Sequence, residues 1–258
     1  ISRRDYLIMR KGNVIVISMM FFCILIFIAA IVWFMMYQGE LTEPTSEEKY
    51  AAILHASGLL KSDEHDKKTI KNLYQRYILA RKVNLDSGEW VADDVQTQGC
   101  KKLAPEHDPA KIHQRCTIAD VYLVKDKSNK IQQIILPVFG EGAKSMMYAF
   151  LALDPDGRTV KNLYYYQQRE TPFLGARVED ESWRKQWPGK KVVDNNWMPA
   201  LRITQEKPEN IDEYTVDGIS GATLTSNGVE RSINYWTGEQ GYGRFLQRIT
   251  RGPDIIVP

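Results

Sequence analysis

Cysteine is scarce in this chain, with three in 258 residues, too few for a disulfide scaffold. The four histidines are His55, His65, His107 and His113, so nothing beyond residue 113 can supply a His base or a His metal ligand. There is no Walker motif and no Cys-x-x-Cys. Gly140-Glu141-Gly142 lacks the third glycine of a dinucleotide loop, because position 145 is Ser145, and Gly241-Tyr242-Gly243 fails likewise at Leu246. Gly218-Ile219-Ser220-Gly221-Ala222 falls one residue short of a Gly-x-Ser-x-Gly elbow, and no His follows it. These gaps argue against a nicotinamide domain, an iron–sulfur cluster and a hydrolase triad. Excess charge is missing too. The net charge is +2, and residues 1–12 alone carry +3 (Arg3, Arg4, Arg10 and Lys11 against Asp5), which leaves the rest at −1. A nucleic-acid-binding body shows a basic face, so no nucleic-acid partner is expected. No period runs through the sequence to suggest a repeat protein.

What is present begins with one long apolar run. Val14 to Met36 reads VIVISMMFFCILIFIAAIVWFMM, with Ser18 its only plainly polar residue. As a helix it would measure about 34 Å, against a hydrocarbon core of about 30 Å. A cleaved signal peptide has a shorter apolar region ending in small residues, whereas here Trp33, Phe34, Met35 and Met36 follow Ala29-Ala30. The expectation is an uncleaved single span over 13–37, preceded by a cytoplasmic tail at 1–12. The chain starts at Ile1, so a few residues, the initiator among them, are expected to precede it. Arg3, Arg4, Arg10 and Lys11 lie before the span, and Glu40, Glu43, Glu47 and Glu48 after it. The positive-inside rule then puts the N-terminus in the cytoplasm and the main domain in the periplasm of a Gram-negative inner membrane. Cys23, within the run, reads as inert packing.

Beyond the run, Thr45-Ser46-Glu47-Glu48 has the form of a capping box after Pro44, with Gly58 as the stop. A second helix is predicted over Ser62 to Lys82, with Ile70, Leu73, Tyr74, Tyr77 and Ile78 on one face. Together these make a helical stalk over 38–88. From Trp90 the period becomes two. Strands are predicted at 119–125, 131–138, 146–153 and 160–168, with short ones at 199–203 and 214–216. Trp183 to Trp187 and Val229 to Trp236 read as helices. Strands come in runs, so the fold class expected for 89–258 is α+β rather than doubly wound. Cys100 and Cys116 flank His107 and His113. A disulfide in the periplasm, free thiols and a metal site all remain open, although the spacing matches no zinc framework.

The segment Asp217 to Gly228 is dense in small and hydroxyl residues and leads into the Val229 helix, which is expected to begin near Ser226. A helix N-terminus with unpaired N–H groups suits a phosphate, and glycines allow close approach. On physics alone this is an anion-friendly turn or an ordinary helix cap.

Ser220-Gly221-Ala222-Thr223-Leu224-Thr225 resembles the Ser/Asp-Gly-Ala-Thr-x-Ser/Thr signature of covalently flavinylated FMN-binding domains. Ser145 to Phe150, Glu170-Thr171-Pro172-Phe173-Leu174-Gly175, Trp183 to Trp187 and Gly218 to Val229 are similar to blocks of the C subunit of the sodium-translocating NADH:quinone oxidoreductase. That resemblance covers nearly the whole chain and implies a one-electron carrier. FMN would be attached to Thr225 as a phosphoester by a separate flavin transferase using FAD and magnesium. Ser220, Gly221, Ala222, Thr223 and Leu224 would hold the phosphate and ribityl chain. Thr171, Leu174 and Gly175 would line the ring, Met146 and Met147 would pack on it or fill the core, and Lys207 would sit near the phosphate or stay solvated. The other subunits of a multi-subunit membrane redox complex would be the partners. Lys144 stands where the family commonly has Trp, and Ala176 where Gly is often seen. Two rival readings are the G subunit of an Rnf-type complex and a periplasmic flavin-domain sensor or assembly protein.

Overall fold

The computed structural model describes residues 18–32, 43–60, 66–92, 94–95, 99–205, 212–252 and 255. Two compact units emerge, 1–43 and 44–258. In the first, residues 18–32 are helical and exposed. The ends of the expected span, before residue 18 and after residue 32, lie outside the described residues. Among the described residues no helix is long and apolar enough to cross a membrane.

The second unit opens with α1 (Ser46–Ser57). The capping box is formed: the Glu48 N–H donates to Thr45 Oγ1 at 3.3 Å, and the Thr45 N–H donates to Glu48 Oε2 at 2.7 Å. Gly58 closes the helix at φ 76°. Thr45→Ala is expected to cost about 1 kcal/mol, read as a small drop in melting temperature.

α2 (Lys67–Tyr77) stops short of the predicted Lys82. Residues 78–84 instead form β1 (Ile78–Asn84), which pairs antiparallel with β5 (Ile118–Lys125) from Ile78↔Val124 to Asn84↔Ile118. The helical spacing that ends on Ile78 serves equally as the first inward residue of a strand, and seven paired positions outweigh local propensity. The segment expected as a stalk therefore ends inside the sheet.

The main sheet has six antiparallel strands in the order β2-β1-β5-β6-β7-β8. β2 is Glu89–Val91, β6 Ile131–Glu141, β7 Met146–Leu153 and β8 Val160–Gln167. Lys101–Lys102 (β3) and Gln114–Arg115 (β4) make a small ladder beside a Cys100–Cys116 disulfide. Arg202–Thr204 (β9) and Thr215–Asp217 (β10) pair in parallel. The helices after the sheet are α3 (Glu181–Arg184), α4 (Thr223–Thr237) and α5 (Gly243–Ile249). α4 starts earlier than the expected Ser226, and α5 lies where no helix is predicted.

Both faces of the sheet are covered. Ile135, Phe150 and Ala152 pack with Ile53 and Leu54 of α1. Leu136, Met147, Ala149 and Leu151 pack with Val229, Ile233 and Trp236 of α4 and with Phe245 of α5. Burial on both sides explains why Ile134 to Val138 reads as a continuous apolar run. Two tryptophans lock the layers: Trp236 Nε1 donates to the Phe139 carbonyl at 2.7 Å, and Trp183 Nε1 to the Asp217 carbonyl at 2.9 Å.

Candidate functional site

The chemistry converges where three backbones meet: the first turn of α4, the β6–β7 hairpin at 142–145, and the turn after β8 at 170–175. Gly228 of α4 lies so close to the hairpin that an added Cβ would fall on the Glu141 carbonyl oxygen and 3.0 Å from Gly142 Cα. That contact fixes how α4 presents its N-terminus.

Thr225, in the first turn of α4, is 1% exposed. Its hydroxyl donates to Glu170 Oε2 at 2.6 Å. The same carboxylate accepts N–H groups from the hairpin: Ala143 at 2.9 Å on Oε2, and Lys144 and Ser145 at 3.0 Å on Oε1. Ser145 Oγ adds a contact at 3.2 Å and accepts the Arg169 N–H at 2.8 Å. Burial pushes the Glu170 carboxyl up, but the bonds from Thr225, Lys144, Ala143 and Ser145 outweigh it and hold the group below the ordinary glutamate range.

A lowered folded value fixes the sign of the pH effect. The stability this carboxylate contributes is fully present above the unfolded value and is lost as pH falls through the lowered folded one. The gap in melting temperature between wild type and Glu170→Gln is expected to be widest near neutral pH and to narrow below about pH 4. Parallel curves down to about pH 3 would contradict it.

Around the hydroxyl the expected residues divide. Gly175 sits directly over it: a Cβ there would overlap Thr225 Oγ1 and stand 2.9 Å from Glu170 Cβ. The Thr171 carbonyl accepts N–H groups from Leu174 and Ala176, which folds the turn. At its tip Phe173 adopts φ 61° and is 91% exposed, and Leu174 is also exposed. Gly221, at φ 77°, approaches Leu174 Cδ2 closely enough that a Cβ would lie 3.1 Å away. Ser220, Gly221, Thr223 and Leu224 are exposed, and Ala222 is buried. The N-cap of α4 is Ala222, with no side-chain cap bond. Ser226 is committed elsewhere, its hydroxyl accepting the Ile219 N–H at 3.0 Å.

Met146 and Met147 part company, because neighbours on a strand face opposite ways. Met147 is buried below Gly142, where an added Cβ would touch both its sulfur and Glu170. Met146 lines a groove on the other face with Phe139, Tyr148 and Tyr166. Lys207 lies outside the described residues. Lys144 is exposed and offers the carboxylate only its backbone N–H, which any residue but proline has. Sequence reading missed Glu170 as the partner of Thr225. It lies 55 residues away, and no local pattern marks the pair.

The donor set fits a flavin mononucleotide. An uncapped helix N-terminus flanked by exposed hydroxyls matches a phosphate, and exposed Phe173 and Leu174 offer apolar surface for a ring. The family pattern described as FMN-binding domain matches residues 142–238, which contain the whole constellation. The protein is thus a mixed α+β protein with an FMN-binding domain. The C subunit of the Na(+)-translocating NADH-quinone reductase of Yersinia pestis is 40% identical over 215 residues, 80% of each chain. That of Vibrio alginolyticus is also 40% identical over 215 residues, covering 80% of this chain and 82% of its own. The crystal structure of Shewanella oneidensis NqrC superposes with a TM-score of 0.70 at 28% identity, covering 80% of this chain and 98% of that one. This chain belongs to the family of C subunits of the Na(+)-translocating NADH-quinone reductase.

Proposed function

We propose that this chain is a membrane-anchored electron carrier that relays single electrons through an FMN held by a phosphoester to Thr225. It works as the C subunit within a complex that couples NADH oxidation to quinone reduction and sodium export. The names and coverage of its relatives support that place. The observation that carries the attachment site is the Thr225 hydroxyl, set by the first turn of α4 between Glu170 and Gly175.

Flavin supplies the redox chemistry when bound; this chain's residues hold, orient and shield it. The exposed turn from Ser220 to Thr223 and the N–H groups of the first α4 turn would take the phosphate. Leu174, Phe173 and Thr171 would line the ring, with Gly175 and Gly221 keeping its approach open. Covalent attachment prevents loss of the carrier outside the cytoplasm. The Cys100–Cys116 disulfide suits an oxidising compartment, and supports a periplasmic main domain behind a single span with its N-terminus in the cytoplasm. The partners on this reading are the other subunits of the complex, with a flavin transferase during maturation.

The test is co-expression with a flavin transferase, followed by denaturing electrophoresis under ultraviolet light and peptide mass analysis. A fluorescent band whose flavin peptide maps to Thr225, in a protein that co-purifies with multi-span redox subunits, is the expected result. A dark band beside an active transferase sinks the covalent reading.

A further inference from the structure

We propose that Glu170 is the proton acceptor for flavin attachment, the catalytic base that this chain itself contributes to the modification of Thr225. The inference rests on the reading of Thr225 as the attachment residue. It adds that the substrate protein is not a passive hydroxyl.

The geometry is specific. Glu170 Oε2 lies 2.6 Å from Thr225 Oγ1, the atom that must lose its hydrogen. The carboxylate is 5% exposed and immobilised by three hairpin N–H groups and one hydroxyl, so it cannot turn away from that oxygen. The carboxylate already accepts three backbone N–H groups and the Ser145 hydroxyl, so the Thr225 hydroxyl adds a bond to a group that is satisfied without it. Hydrogen bonds, rather than a neighbouring cation, keep it ionised and ready to take a proton.

Atoms and electrons balance in a single displacement. Thr225 Oγ1 bonds to the flavin-side phosphorus of a flavin dinucleotide. The bond from that phosphorus to the bridging oxygen breaks, and AMP departs with the electron pair. The Thr225 proton passes to Glu170 Oε2 and then to solvent. No oxidant or reductant is needed. A carboxylate of low basicity is sufficient, because the hydroxyl becomes strongly acidic as its oxygen bonds to phosphorus and the proton then passes downhill to Glu170. The catalytic-loop aspartate of protein kinases accepts a substrate hydroxyl proton in this way.

Burial of Thr225 sets the access route. Gly175 covers the oxygen with backbone alone, and beyond it the Pro172–Leu174 turn is exposed, with Phe173 in a left-handed conformation. Lifting this turn uncovers Oγ1, so that the incoming phosphorus can approach it. Once the ester has formed, Oγ1 has no hydrogen left to give, and the bond that held the turn's first residue to α4 is gone.

The experiment uses the full-length apo protein in detergent with purified flavin transferase, FAD and magnesium, with attachment followed by in-gel fluorescence against time. Glu170→Gln is expected to lower the initial rate by about 100-fold or more, the usual effect of removing a general base. Glu170→Asp, which keeps a carboxylate, is expected to recover at least a tenfold share of that loss. Circular dichroism melts establish that each variant is folded. Should Glu170→Gln not fold, Glu170→Asp carries the test alone, since withdrawing the carboxylate by one methylene is expected to slow attachment about tenfold. A wild-type rate in either folded variant overturns the proposal. A wild type that takes no flavin, or takes it at a residue other than Thr225, removes the attachment reading itself and is a distinct result.

Discussion

The Thr225→Val protein, expressed beside a flavin transferase, is expected to run as a dark band where the wild type fluoresces, and to remain folded. Valine has the shape of threonine, so the buried site stays filled. What disappears is one oxygen and the bond it donates to Glu170 Oε2. The carboxylate keeps its bonds from Ala143, Lys144 and Ser145, so its charge stays partnered. Losing one bond to a charged acceptor costs about 1.5–3 kcal/mol. For a body of this size that lowers the melting temperature by roughly 3–12 °C, measurable but short of unfolding. Ser226 is the necessary comparison, since it is the next hydroxyl and equally buried. Its oxygen accepts the Ile219 N–H and anchors the loop before α4. Ser226→Ala is therefore expected to lose stability yet keep its flavin. Fluorescence that persists in Thr225→Val would falsify the assignment of the ester to this residue.

The contrast between those two hydroxyls shows where sequence reading stops. The signature Ser220 to Thr225 and the helix after it are legible, because small residues before an apolar 3.6-residue period announce a helix N-terminus. So are the capping box at Thr45 and the antiparallel run of strands from 118 to 167. Less legible is β1, whose Ile78 satisfies a helical and a strand pattern equally until β5 is present to pair with it. α5 hides behind Gly241-Tyr242-Gly243, which has the outline of a dinucleotide loop, although Tyr242, Phe245, Leu246 and Ile249 repeat at helical spacing and are all buried. The two methionines can be separated by pattern alone. A strand through 146–153 must send Met146 and Met147 to opposite faces, and of the two it is Met147 that reaches the neighbourhood of Glu170. No local rule pairs Glu170 with Thr225. Their meeting depends on a hairpin, a turn and a helix stacking without side chains between them.

That stacking makes Gly175→Ala a damaging substitution at the site. A Cβ on Gly175 would overlap Thr225 Oγ1 and stand 2.9 Å from both Glu170 Cβ and Glu170 Oε2. None of these neighbours can yield. Thr225 is carried by α4, which Gly228 seats against the Glu141 carbonyl. Glu170 is held by the hairpin N–H groups, and Gly142 is closed in turn by Glu170 Oε1 at 2.7 Å from its own would-be Cβ. The methyl must therefore push the 170–175 turn outward and break the Thr225–Glu170 bond. Overpacking costs about 1–3 kcal/mol and the lost bond about as much again, so a loss of roughly 2–6 kcal/mol is expected. Gly189→Ala is the control: its backbone is left-handed, at φ 86°, but nothing lies within 4 Å of its Cβ. Its cost is the backbone strain alone, about 1–2 kcal/mol. Gly175→Ala should thus melt well below Gly189→Ala. It should also change flavin loading, which Gly189→Ala leaves at the wild-type level. The direction of that change reports what the turn does. Lower loading means the turn must close correctly for Glu170 to reach the hydroxyl. Faster attachment in a destabilised protein means that lifting the turn limits the wild-type rate.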